Sequence, residues 1–148
     1  MIDLPEAAAD VNVEMIRAQV GNAEKIVVVD DTVEILDLLT LVLSEEGFQV
    51  ICCPDASQAL DTVAAEHPSL VIVDLTMAGV RSWDLVDALA ADPRTGHTPF
   101  IVCSGAVQEL HAAESRVRAL GGDVLGKPFD IDRLIDKVQR LIAGDDPV

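Results

Sequence analysis

The sequence predicts an α/β fold, a doubly wound sheet of five parallel strands with helices on both faces. Five short apolar runs alternate with longer segments of helical periodicity. The runs Ile26-Val27-Val28-Val29, Leu70-Val71-Ile72-Val73 and Phe100-Ile101-Val102-Cys103 are apolar at every position, as expected of strands covered on both faces. The strand-helix order repeats without interruption, and right-handed crossovers then place the strands in one parallel sheet.

Each element has a local reason. After the first strand, Asp30, Asp31 and Thr32 are helix-capping residues. They lead into a helix over 33–46 with Val33, Leu36, Leu39 and Leu43 on one stripe, stopped by Gly47. A second strand is expected over 48–52. A helix over 55–66 follows, halted by Pro68. The third strand ends at Asp74, and a helix over about 83–91 follows a loop. The fourth strand ends at Ser104 and precedes a helix over about 107–120. A short strand, Val124-Leu125, runs into Lys127-Pro128. The last helix, from about Asp130 to Ile142, turns Ile131, Leu134, Ile135, Val138 and Leu141 to the core.

Composition narrows the function classes. With 26 acidic and 10 basic residues the formal net charge is −16, which disfavours nucleic-acid and anionic-membrane partners. Cys52, Cys53 and Cys103 match no zinc spacing and are expected to be buried, reduced thiols. His67, His97 and His111 show no ligand spacing and read as surface residues, and Trp83 as a contact at a helix start. The first residues show no basic-then-apolar leader, and no apolar run is long enough to span a bilayer; a cytoplasmic location is expected.

In a parallel α/β sheet the functional crevice lies beyond the carboxyl ends of the strands. Those ends carry Asp30 and Asp31, Asp74, Ser104 and Lys127. Taken singly, the aspartates are caps or turn residues and Lys127 a surface charge; their arrival at one edge is what a surface reading does not explain. Crowded carboxylates repel by roughly 4 kcal/mol per pair at ~4 Å and an effective dielectric near 20. A hard divalent cation, Mg²⁺ or Mn²⁺, relieves that repulsion. Lys127 adds a mobile positive charge and Ser104 a hydroxyl. A carboxylate in this setting can act as a nucleophile and form an acyl phosphate.

On these residues the chain resembles the receiver domain of bacterial two-component response regulators, of the stand-alone, single-domain type. The resemblance runs from about Lys25 to Ala143. It rests on Asp30-Asp31 after the first strand, on Val73-Asp74-Leu75-Thr76-Met77, on Ser104-Gly105, and on Lys127-Pro128-Phe129. It implies a flavodoxin-like sheet of order 2-1-3-4-5, with Asp74 as phosphoacceptor and Lys127 and Ser104 assisting. It implies Asp31 and Asp74 as direct metal ligands, Asp30 acting partly through water, and the Thr76 backbone carbonyl completing the metal site. It further implies a histidine kinase or phosphotransfer protein as donor, a downstream protein target, and no catalysis beyond the domain's own phosphorylation and dephosphorylation. Ala78, Arg81-Ser82 and Val124 depart from the family pattern, which usually has Pro, an acidic-Gly pair and an aromatic there; Leu120-Gly121-Gly122 stands where Gly-Ala is typical.

The expected organisation is an N-terminal extension over 1–23 that can form one short helix, a receiver domain over 24–143, and an acidic tail over 144–148. Two alternatives stay open: a pseudo-receiver that binds partners without phosphorylation, and the receiver portion of a longer regulator. A dehalogenase-type phosphatase fits poorly, because it needs a second Asp two residues after its nucleophile and Thr32 follows the adjacent pair here.

Overall fold

The structure is a computed structural model, and it describes residues 24–75 and 82–144. The elements in chain order are β1 (Lys25–Val29), α1 (Val33–Glu45), β2 (Gln49–Cys53), a 3₁₀ turn (Ala56–Gln58), α2 (Ala59–Glu66), β3 (Leu70–Asp74), α3 (Ser82–Ala91), β4 (Phe100–Ser104), α4 (Val107–Ala119), β5 (Gly122–Gly126) and α5 (Ile131–Ala143). The strands form one sheet of order β2-β1-β3-β4-β5, and every pairing is parallel. The expected extension over 1–23 and all of the expected tail except Gly144 lie outside the described residues.

Strand alternation sends successive side chains to opposite faces, which is why β1, β3 and β4 are apolar at every position but one at an end: Lys25, Asp74 and Ser104. Val27, Val29, Val71, Val73 and Val102 pack under α2, α3 and α4. Ile26, Val28, Leu70, Ile72 and Ile101 pack under α1 and α5. Each fully buried Val, Leu or Ile stabilises the fold by roughly 1.5–3 kcal/mol, so the two layers supply most of the driving force.

Several details differ from the sequence-based expectation. Leu36, Leu39 and Leu43 are buried, but Val33, in the first turn of α1, is 62% exposed and lies outside the core stripe. The segment after β2 starts as a 3₁₀ turn, with the Asp55 carboxylate accepting the Ser57 amide at 2.9 Å. α2 stops at His67, which adopts a left-handed conformation (φ 49°). β5 is longer than Val124-Leu125. Gly122 pairs with Phe100, and a Cβ there would lie 2.7 Å from the Phe100 ring and carbonyl, so only glycine permits the approach. Cys53 and Cys103 are buried, whereas Cys52 is exposed. Adjacent residues on edge strand β2 face opposite sides, and the Cys52 sulfur meets the Thr40 hydroxyl at 3.3 Å. His67, His97 and His111 are exposed, as expected.

Candidate functional site

Sheet register brings the polar strand ends together. Val29 lies opposite Val73, so the residues that follow, Asp30 and Asp74, stand side by side at the tips of β1 and β3. Backbone hydrogen bonds continue at these tips. The Asp30 amide donates to the Cys53 carbonyl at 3.2 Å, the Leu75 amide to the Cys103 carbonyl at 2.9 Å, and the Lys127 amide to the Ser104 carbonyl at 2.9 Å. The crevice residues are therefore held by the same ladder that holds the core.

Three of these groups are buried: Asp30 is 2% exposed, Asp74 3% and Ser104 1%. Asp31 is exposed at the mouth. One carboxylate oxygen from each of Asp30, Asp31 and Asp74 lies within 4.8 Å of the other two. Lys127 reaches across from β5: its Nζ is 3.2 Å from Asp74 Oδ1 and 3.3 Å from Asp30 Oδ2. Lys127 directly follows β5, and its peptide bond to Pro128 is cis. Asp30 Oδ1 also accepts the Thr32 amide at 2.9 Å. Thr32 is the N-cap of α1 and makes no side-chain cap bond of its own, so Asp30 is what supports this helix start. Ser104 Oγ accepts the Ala106 amide at 2.9 Å, which leaves its O–H as a donor.

Electrostatics follow from this crowding. Burial pushes the Asp30 carboxyl above its ordinary value; the Thr32 amide opposes the shift, Asp74 reinforces it and Lys127 opposes it, with the net upward. Burial alone would lower the Lys127 ammonium, but Asp30 and Asp74 outweigh it and hold the amine protonated to higher pH. Three carboxylates face one ammonium, and all the donors are hard oxygens. That donor set fits a divalent cation of the Mg²⁺ or Mn²⁺ kind. The Cys103 thiol beside Asp74 is fully buried, which raises its pKa and leaves it an inert core group.

The structure thus brings together Asp30, Asp31, Asp74 and Lys127, with Ser104 on the intervening strand tip. Thr76, whose carbonyl was expected to join them, lies outside the described residues, as do Ala78 and Arg81.

Three features were not anticipated. An apolar hollow of about 440 Å³ lies beside Lys127, lined by Ile35, Leu38, Pro128 and Phe129. Its sequence signal was the second apolar row on α1, Leu38 and Leu41, outside the core stripe. Asp123 is fully buried within β5 and pairs with Lys137 of α5 at 2.7 Å and Arg118 of α4 at 3.5 Å. Its signal was an aspartate inside an otherwise apolar strand. Trp83, the chain's single tryptophan, does more than pack: its indole N–H donates to Glu109 at 3.2 Å, and the Arg116 guanidinium stands 5.4 Å above its ring. That contact ties α3 to α4.

Comparison with known proteins gives a consistent result. The response regulator receiver domain family matches residues 26–139. Over 124 residues the chain is 32% identical to the DNA-binding response regulator MtrA of Mycobacterium tuberculosis strain H37Rv, covering 83% of this chain and 53% of MtrA. The chain thus spans about half the length of that relative. It is 31% identical over 120 residues to the sporulation initiation phosphotransferase F of Bacillus subtilis, covering 80% of this chain and 94% of that protein. Among solved structures, a sensor protein from Polaromonas superposes with a TM-score of 0.73 at 30% identity, over 82% of this chain and 97% of that one. A response regulator from Desulfuromonas acetoxidans gives a TM-score of 0.69 at 29% identity, over 81% of this chain and 97% of that one.

Proposed function

Because the chain belongs to the response regulator receiver domains, we propose that its crevice is a phosphorylation switch in which Asp74 accepts the phosphoryl group. One observation carries the reading: the buried Asp74 carboxylate sits within 4.8 Å of two further carboxylates and 3.2 Å from the Lys127 ammonium. In the transfer, a donor phosphohistidine gives up its P–N bond as an Asp74 oxygen forms the new P–O bond, and the imidazole leaves neutral after taking a proton. Lys127 is held by both buried aspartates, so it is already in place for the charge that spreads over the phosphoryl oxygens. The Ser104 O–H can donate to one of those oxygens. Asp30, Asp31 and Asp74, with the Thr76 carbonyl, would hold Mg²⁺ or Mn²⁺, which supplies charge neutralisation when bound. The hollow formed by Ile35, Leu38, Pro128 and Phe129 offers an apolar seat for the donor, a histidine kinase or phosphotransfer protein, next to Lys127.

The domain over 24–143 is read as the switching unit and the location as cytoplasmic. Among the described residues no helix is long and apolar enough to cross a membrane. Output is read as a contact with a protein target through α4, β5 and α5, since α4 starts three residues after Ser104 and β5 ends next to Lys127. Without an aromatic at Val124, that output passes through the backbone and α4. The net charge of −16 argues against nucleic-acid contact by this stretch.

Intact-protein mass after incubation with acetyl phosphate and Mg²⁺ tests the switch. A single gain of about 80 Da in the wild type and none in Asp74→Asn is expected. No gain with acetyl phosphate or with a phosphotransfer-protein donor, in Mg²⁺ or Mn²⁺, would make the chain a pseudo-receiver that binds its partners constitutively.

A further inference from the structure

A groove of about 430 Å³ runs along edge strand β5 between α4 and α5. Its lining includes the apolar Val107, Leu110 and Val124 beside Gly126. Val107 is 59% exposed and Val124 half-buried, so the described structure leaves these two apolar side chains partly uncovered, whereas Leu110 is buried. The volume lies in the range of sites that enclose a bulky side chain or small ligand.

The rim is unlike the rest of the molecule. Four of the chain's ten basic residues line the groove (Arg118, Lys127, Arg133 and Lys137), against two of its 26 acidic ones, Glu114 and Asp130. Both acids are committed. Glu114 pairs with Arg118 at 2.6 Å, and the Asp130 carboxylate caps α5 through the Asp132 and Arg133 amides at 3.0 and 3.4 Å. Asp123, buried beneath the groove, holds both Lys137 and Arg118, so two cations are fixed by one carboxylate. The exposed Arg133 guanidinium has no carboxylate partner among the described residues. Among the described residues strand β5 is hydrogen-bonded to β4 on one side only, leaving its outer edge able to accept an extended chain.

We infer that this groove receives an extended peptide segment of the target protein that presents an aromatic side chain flanked by carboxylates. The inference rests on the reading of α4, β5 and α5 as the output face and names the chemistry of the target. The ring packs against the apolar lining, where aromatic anchors contribute most to binding. The carboxylates meet Arg118, Arg133 and Lys137. Repulsion from the acidic body elsewhere disfavours other placements of an acidic segment.

A fluorescein-labelled peptide of about ten residues, one Phe between pairs of Asp, tests this by anisotropy against the full chain. Binding is expected to weaken at least about tenfold when Phe becomes Ala, when the Asp residues become Lys, and in Arg133→Glu and Val124→Trp proteins that keep a wild-type amide NMR spectrum. Amide shifts on binding are expected at Val124, Gly126 and Arg133. Equal binding of the three peptides, no binding by any, undiminished binding by Arg133→Glu, or shifts elsewhere would overturn the inference. Phosphorylation by acetyl phosphate is read on the same samples. A phosphorylated chain that fails to bind sinks the groove alone, whereas peptide binding by a chain that neither acetyl phosphate nor a phosphotransfer-protein donor phosphorylates sinks the switch and leaves the groove standing.

Discussion

Asp74 and Asp123 are both aspartates, both buried, and both on strands of one sheet, yet their surroundings are opposite. Asp74 shares one ammonium, Lys127, with Asp30, and Asp31 stands close by. Asp123 meets two cations, Lys137 and Arg118 (the latter shared with Glu114), and its Oδ1 also accepts the Val124 amide at 2.8 Å. Burial of a charge is tolerated when it is paired and costly when it is crowded by like charge. The compensated carboxylate is a structural tie between edge strand and helices. The crowded one is a site whose repulsion a divalent cation can relieve.

This difference in sign should be measurable. Asp123→Ala removes the partner of two cations and is expected to lower unfolding stability by about 3 kcal/mol, read from urea denaturation. Asp74→Asn relieves repulsion and is expected to raise stability by roughly 1 kcal/mol in metal-free buffer. If the two substitutions shift the midpoint the same way, the contrast is wrong.

Divalent cations probe the crowded side alone. Millimolar Mg²⁺ is expected to stabilise the wild type by up to about 3 kcal/mol if it reaches a hundredfold excess over its dissociation constant. The gain should be lost in Asp31→Ala. In Asp123→Ala it should persist, provided that variant folds; thermal melts with and without EDTA would show both.

The pH dependence follows from Asp30. Its carboxyl is raised in the fold, chiefly by burial, so its favourable contribution is complete below the unfolded value near 4 and is lost as pH rises through the higher folded value. Without metal, Asp30→Ala would confuse this loss with a cavity, so Asp30→Asn is the informative variant. Its stability relative to the wild type should improve as pH is raised from about 4 to 7, and melts across that range would read the slope. A flat difference would mean that Lys127 compensates Asp30 fully.

The smallest effect concerns the helix starts beside each region. Asp130 caps α5 with its carboxylate, and Asp130→Ala should cost about 1 kcal/mol. Thr32 makes no side-chain cap bond on α1, so Thr32→Ala should cost only a few tenths of that, by urea denaturation.

Much of this molecule is local chemistry and could be read without the fold. β3 and β4 begin where the uninterrupted apolar runs do and extend one residue past them, to Asp74 and Ser104, because a strand covered on both faces is apolar up to its end. β5 was harder to read, since its glycines have no strand preference and Gly122 is there for the close approach of Phe100. The exposed row on α1 was hidden by excess: with apolar residues on more than one face, periodicity alone does not say which row is buried.

The sequence by itself determined the element types, the layered α/β class and which polar residues stand at strand ends, since each depends on neighbours a few positions away. Only the tertiary structure decided which charges meet. Lys127 and Asp30 lie 97 residues apart, and their 3.3 Å contact exists because one parallel sheet sets the ends of β1 and β5 on the same edge, where the long Lys127 side chain spans the intervening β3 and β4. The same holds for Asp123, an unremarkable acid in the sequence until α4 and α5 bring Arg118 and Lys137 to it. Charge compensation is a property of distance in space, and strand order sets that distance.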